Sequence, residues 1–170
     1  MYNTVIRNII RIIVLVVMQV FIFDNIRLGH FIHPYIYVLF IMLLPFDTPK
    51  WRLLIDGFII GMLIDIFSGT PGLNAAATVF MAYFRPNIIG ITTRKSDIEE
   101  KNIPSITEMG LKWFVVYGLM LLIMHNLVLF WIEAFSIKLF GIIMLEVLLS
   151  VPVSLFVIII AMYIFKPLKK

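Results

Sequence analysis

The chain has 170 residues, of which 62% are hydrophobic and only 14% charged. A soluble domain cannot cover its surface with so few polar groups, so the composition points to a protein whose solvent is the bilayer. Cysteine is absent, which excludes disulfides, thiolate zinc sites and cysteine nucleophiles. The net charge of +4 sits beside apolar segments and reads as orientation and contact with anionic lipid, not as nucleic-acid binding.

A spanning helix needs about 20 residues, and six apolar segments use almost the whole length, leaving none for a soluble catalytic domain. Segment one covers residues 6–23, with Arg7 and Arg11 ahead of the run Ile12 to Phe23. No small-x-small cleavage site follows, only Asp24, Asn25 and Arg27, so it is expected to be an uncleaved span, not a signal peptide. Segment two, 31–46, is short and stops around Pro45; segment three, 51–67, carries Arg52, Asp56 and Asp65. Segment four, 72–91, is interrupted by Arg85, Pro86 and Asn87. The polar stretch Thr92 to Glu108 mixes both signs of charge and reads as a solvated loop. Segments five, 109–132, and six, 139–165, are the most apolar, and Pro152 predicts a kink in the last.

Six alternating spans put twelve of the fourteen Lys and Arg residues on one side and only Arg27 and Lys138 on the other. The positive-inside rule then places both termini in the cytoplasm. Trp51, Trp113 and Trp131 fall at span ends, where interfacial aromatics belong. The expected fold is an all-α integral membrane protein forming a single six-helix domain.

Ionisable groups inside spans are costly and need a partner or a role. Asp56 and Arg85 lie at equal sequence distances on either side of the turn Gly69 to Gly72, which predicts an ion pair between spans three and four. Arg52, four residues before Asp56 on the same helix face, is the competing partner. His125 and Glu146 are likewise equidistant from the turn near Phe135 and are expected to hydrogen-bond across spans five and six, with Asn126 as an alternative donor. Such a pair reads either as interhelical glue or as a proton relay.

The stretch 57–77, GFIIGMLIDIFSGTPGLNAAA, is the most informative. Gly57, Gly61 and Asp65 recur every four residues and form one stripe, the pattern that allows close helix approach. Ser68, Gly69, Thr70, Pro71 and Gly72 make a tight turn, and Asn74 with Ala75 to Ala77 opens span four. The Asp65 carboxylate is placed to accept hydrogen bonds from Ser68, Thr70 or turn amides. Stripe and turn are expected to form either a tight hairpin alone or also a docking surface for a partner helix. His30 and His33, three apart, are too few for a metal site by themselves. There is no HExxH, G-x-S-x-G or P-loop, so no catalytic, cofactor or metal assignment is made.

The positions Gly61, Asp65, Ser68, Gly69, Pro71, Gly72, Asn74 and Ala75 resemble the signature of the MreD family of bacterial rod shape-determining membrane proteins. Here Pro71 is followed directly by Gly72, where many relatives carry an extra residue, which implies a tighter turn. The resemblance implies a non-enzymatic, multi-pass subunit of the cell-wall elongation machinery in the bacterial cytoplasmic membrane. Its implied direct partner is MreC, within an assembly that includes MreB, RodA and a penicillin-binding transpeptidase. It also implies a helical architecture similar to the substrate-capture subunits of energy-coupling vitamin transporters. Such a subunit is the rival functional reading, although segment one, IIRIIVLVVMQVF, lacks the Ala-x-x-x-Ala pattern those subunits use for coupling.

Overall fold

The computed structural model describes residues 2–25, 31–100, 103–135 and 137–164. Arg27, His30, Lys101, Phe165, Lys166, Lys169 and Lys170 lie outside them, and with them the His30–His33 spacing. Among the described residues the regular structure is entirely helical.

Helix α1, Tyr2–Met18, runs without a break into a five-residue π-helical turn, Gln19–Phe23. After a non-helical stretch comes one turn of helix, α2, Leu39–Met42. Helices α3, Lys50–Ser68, and α4, Leu73–Thr92, form a tight hairpin. Two short helices, α5 (Lys95–Glu100) and α6 (Ile106–Met109), lead into α7, Leu111–Ala134. A 3₁₀ turn, Ile137–Leu139, connects α7 to α8, Phe140–Ile164. Among the described residues only α7 and α8 are both long and apolar enough to cross a membrane; α3 carries Arg52, Asp56 and Asp65, α4 is made more polar by Asn74, Arg85 and Asn87, the first apolar helix is shorter, and segment two is interrupted.

Segment two is not a spanning helix. Residues 32–36 have no regular structure, α2 supplies four helical residues, and the chain reaches α3 through a second irregular stretch. Apolar composition suits a buried irregular segment as well as a helix, and Pro34 and Pro45 remove backbone donors at both ends of the run. Its position explains the composition. All nine residues from Ile36 to Leu44 are at most 7% exposed, so this segment is the centre of the core. The long helices enclose it, neighbour to neighbour in the order α3, α4, α7, α8, with α1 beside α3.

Segment four, by contrast, is unbroken: α4 continues through Arg85, Pro86 and Asn87. The hairpin is closed by two glycines. Gly69 ends α3 at φ 69° and Gly72 starts α4 at φ 82°, a left-handed conformation that side chains with a Cβ resist.

Candidate functional site

The hairpin end of the bundle is organised around one carboxylate. Asp65 sits in the last turn of α3, 4% exposed, facing the start of α4. The first turn of any helix has N–H groups without partners, and the N-cap of α4 is a glycine with no side chain to satisfy them. Asp65 does so from the preceding helix. Its Oδ1 accepts from Asn74 N (3.0 Å), Asn74 Nδ2 (3.0 Å) and Thr70 Oγ1 (2.9 Å), and its Oδ2 from Ala75 N (2.9 Å). A negative charge at a helix N-terminus is favourable in its own right. Of the expected donors, Thr70 is used and the amides are those of Asn74 and Ala75. Ser68 turns instead to Asp24, donating to Oδ2 at 2.7 Å.

The glycine stripe serves the same hairpin. A Cβ on Gly61 would stand 2.5 Å from Ala75 Cα, and one on Gly57 would stand 3.3 Å from Ala82 Cβ. Both glycines are buried against α4 of their own chain. Of the two readings of the stripe, the hairpin is the one these two glycines serve: the space they create is filled by α4.

From Asp65 a line of hydrogen bonds runs into the core. Asn74 uses both side-chain N–H groups on Asp65 and Thr70 Oγ1, which leaves its Oδ1 facing the Tyr37 hydroxyl at 2.9 Å. Tyr37 has a single proton and donates it to Asn74. His125 Nε2, 2.7 Å from the same hydroxyl, must then be the protonated nitrogen and the donor. Its Nδ1 is a buried acceptor without a partner. This corrects the His125–Glu146 pairing. His125 meets Tyr37 of the irregular segment, Asn126 donates to Leu122 O within α7 (2.8 Å), and Glu146 remains partly exposed on α8.

The irregular segment poses a problem that a helix would not, because its backbone groups lie in an apolar interior without a ladder to pair them. Side chains from the surrounding helices replace the ladder. Gln19 Oε1 accepts from Ile36 N (2.8 Å) while its Nε2 donates to Pro34 O (3.0 Å). Ser150 Oγ accepts from His33 N (3.0 Å) and Ser154 Oγ from Tyr35 N (2.9 Å). At the far end, Tyr117 donates to Met42 O (3.0 Å), and Arg85 donates to Leu44 O through Nη2 and to the Tyr117 oxygen through Nε (3.0 Å). Arg85 therefore closes the C-terminal end of α2 and does not pair with Asp56. The Asp56 carboxylate lies 3.5 Å from Arg52, the competing partner.

Gln19, Tyr37, Tyr117, Ser150 and Ser154 were not singled out from the sequence. The one available signal was the four-residue spacing of Ser150 and Ser154, which puts two hydroxyls on one face of an otherwise apolar helix.

Above the Asp65 hub, at the same end of the bundle, a cleft of about 520 Å³ opens between the π-helical turn, the start of the irregular segment, the hairpin tip and the end of α7. Asp24, His33, Tyr35, Asn74 and Glu133 are among its polar groups, and Phe21 and Phe67 among its apolar ones. The Asp24 carboxylate is held from both sides, by Gln19 Nε2 at 2.7 Å and by Ser68 at 2.7 Å. No family model, curated protein or solved structure matches the chain.

Proposed function

We propose that the chain is a non-enzymatic, multi-pass scaffold subunit of the bacterial cell-wall elongation machinery, of the MreD type. On this reading it sits in the cytoplasmic membrane with six passes, the second made by the enclosed irregular segment, and both termini in the cytoplasm. It docks MreC and, through it or beside it, the assembly that contains MreB, RodA and a penicillin-binding transpeptidase. The observation that carries the reading is the hairpin. The residues on which the family resemblance rests, Asp65, Ser68, Gly69, Gly72 and Asn74, are the ones that cap, bond and turn it.

The outward faces support a membrane setting. Ile55, Phe58, Ile59 and Ile66 on α3 and Leu148, Phe156 and Ile164 on α8 are exposed, and contiguous apolar surface of this kind marks lipid or a partner helix. Because Gly57 and Gly61 are filled internally, lateral docking uses these outward faces. Affinity purification of the native membrane complex, followed by identification of the attached chains, tests the proposal. Recovery of MreC is expected; its absence would remove the scaffold reading.

The cleft at the hairpin end favours a second reading, a solute-capturing subunit of an energy-coupling vitamin transporter. A vitamin co-purifying with the chain, together with a coupling protein in place of MreC, would select it.

A further inference from the structure

We propose that the cleft at the hairpin end is a binding site for a small organic cation, an ammonium group carried on an apolar body. This does not depend on the scaffold reading; it concerns only what the cleft's own groups recognise.

Size, charge and wall chemistry each narrow the ligand. A volume of about 520 Å³ lies within the range of small-molecule sites. Two carboxylates from different elements line the cleft, Asp24 just after the π-helical turn and Glu133 at the end of α7, and among its described lining residues there is no Lys or Arg. Against the two carboxylates, His33 is the one basic side chain among the described lining residues, so acidic groups outnumber basic ones there. A metal ion is a poor fit, because among the described residues no three His, Asp or Glu stand together as ligands. Three aromatic side chains, Phe21, Tyr35 and Phe67, line the cleft beside aliphatic ones such as Ile64 and Leu129. Aromatic faces attract ammonium groups through the ring quadrupole, and a carboxylate beside them supplies the counter-charge. A hydrated inorganic cation would gain nothing from the rings, whereas an organic one uses both features.

The site is also built in advance. Asp24 is fixed by Gln19 and Ser68 before any ligand arrives, and Gln19 is itself locked by the irregular segment. Tyr35 is held through its backbone by Ser154. Little ordering is left for the ligand to bring about, which favours affinity for small molecules.

The full chain in phosphatidylglycerol nanodiscs, titrated calorimetrically with 2-phenylethylammonium, 2-phenylethanol and phenylacetate, tests the proposal. These probes share one body and differ in charge. Saturable binding of the ammonium alone is expected, weakened roughly tenfold by Glu133→Gln, the loss of about one charge contact. Glu133 is exposed at the end of α7, so its variant is expected to fold even if Asp24→Asn does not. Phe67→Leu is expected to weaken the ammonium, and Asp47→Asn, outside the cleft, to leave it unchanged. Adding phosphatidylethanolamine to the nanodiscs separates the two sources of such a group. Competition identifies a lipid headgroup amine, and its absence identifies a free solute. Equal binding of 2-phenylethanol, preference for phenylacetate, failure of every probe to saturate in the millimolar range, or an unaltered Glu133→Gln titration would each overturn the assignment.

Discussion

Tyr37 and His125 meet through one hydrogen bond of 2.7 Å, with both residues completely buried. The contact joins the irregular segment to α7 and, through Asn74, to the Asp65 hub. Tyr37→Phe leaves Asn74 Oδ1 and His125 Nε2–H without partners in the core. The expected cost is about 3 kcal/mol, since each unpaired buried group costs roughly 1–3 kcal/mol. Thermal unfolding of the purified chain checks this, with Tyr163→Phe, 53% exposed, expected to change little.

Arg85 and Asp56 are energetically independent. Arg85→Met removes the donor to Leu44 O and the partner of Tyr117, so a loss of about 2–3 kcal/mol is expected. Asp56→Asn breaks only a part-exposed pair with Arg52 and should cost less than about 1 kcal/mol. The double variant should equal the sum of the two within roughly 0.5 kcal/mol. A coupling well beyond that would mean the two charges do interact.

Gly61 and Gly57 rank by clearance. An added methyl at Gly61 meets α4 backbone atoms at 2.5–2.7 Å, and backbone cannot rotate away. Gly61→Ala should destabilise by about 1–3 kcal/mol through overpacking, Gly57→Ala by less, at 3.3 Å clearance. Gly90→Ala, with nothing within 4 Å, should be neutral or gain up to about 1 kcal/mol from helix propensity. Chemical denaturation in mixed micelles gives the ranking directly.

Asp65→Asn replaces a carboxylate that accepts four hydrogen bonds with an amide that must aim N–H groups at other donors. A loss of about 3 kcal/mol is expected, because hydrogen bonds to charged groups are the stronger class. Hydrogen exchange should locate the damage at the amides of Asn74 and Ala75, with α8 unaffected.

Ser150→Ala and Ser154→Ala each leave one backbone N–H of the irregular segment unpaired, His33 and Tyr35 respectively. About 1–2 kcal/mol per variant is expected, together with faster exchange at those two amides. Unchanged exchange at both positions would show that the serines do not hold the segment.

The parts legible in the sequence are those governed by local chemistry. Segments five and six appear as α7 and α8 because an apolar run of that length has one regular solution. Asp65 and Thr70 are close in the chain, and the turn between them leaves little choice of geometry. Segment two reads as a helix in the sequence and is not one in the structure, because hydrophobicity reports burial, not conformation. A helix there would have satisfied its own backbone, whereas the actual segment borrows partners from residues far away. His125 and Arg85 were misassigned for a related reason. Each bonds to the irregular segment or its end, and a scheme of straight helices contains no such partner.

His33 waits for a hydroxyl 117 positions later in the chain, and Tyr35 for one 119 positions later. During synthesis the ribosome must complete α8 before the middle of the bundle can settle, so α8 acts as the keystone of the second segment. Any chain cut short before Ser154 would leave that segment without its final anchors, whatever the condition of the hairpin.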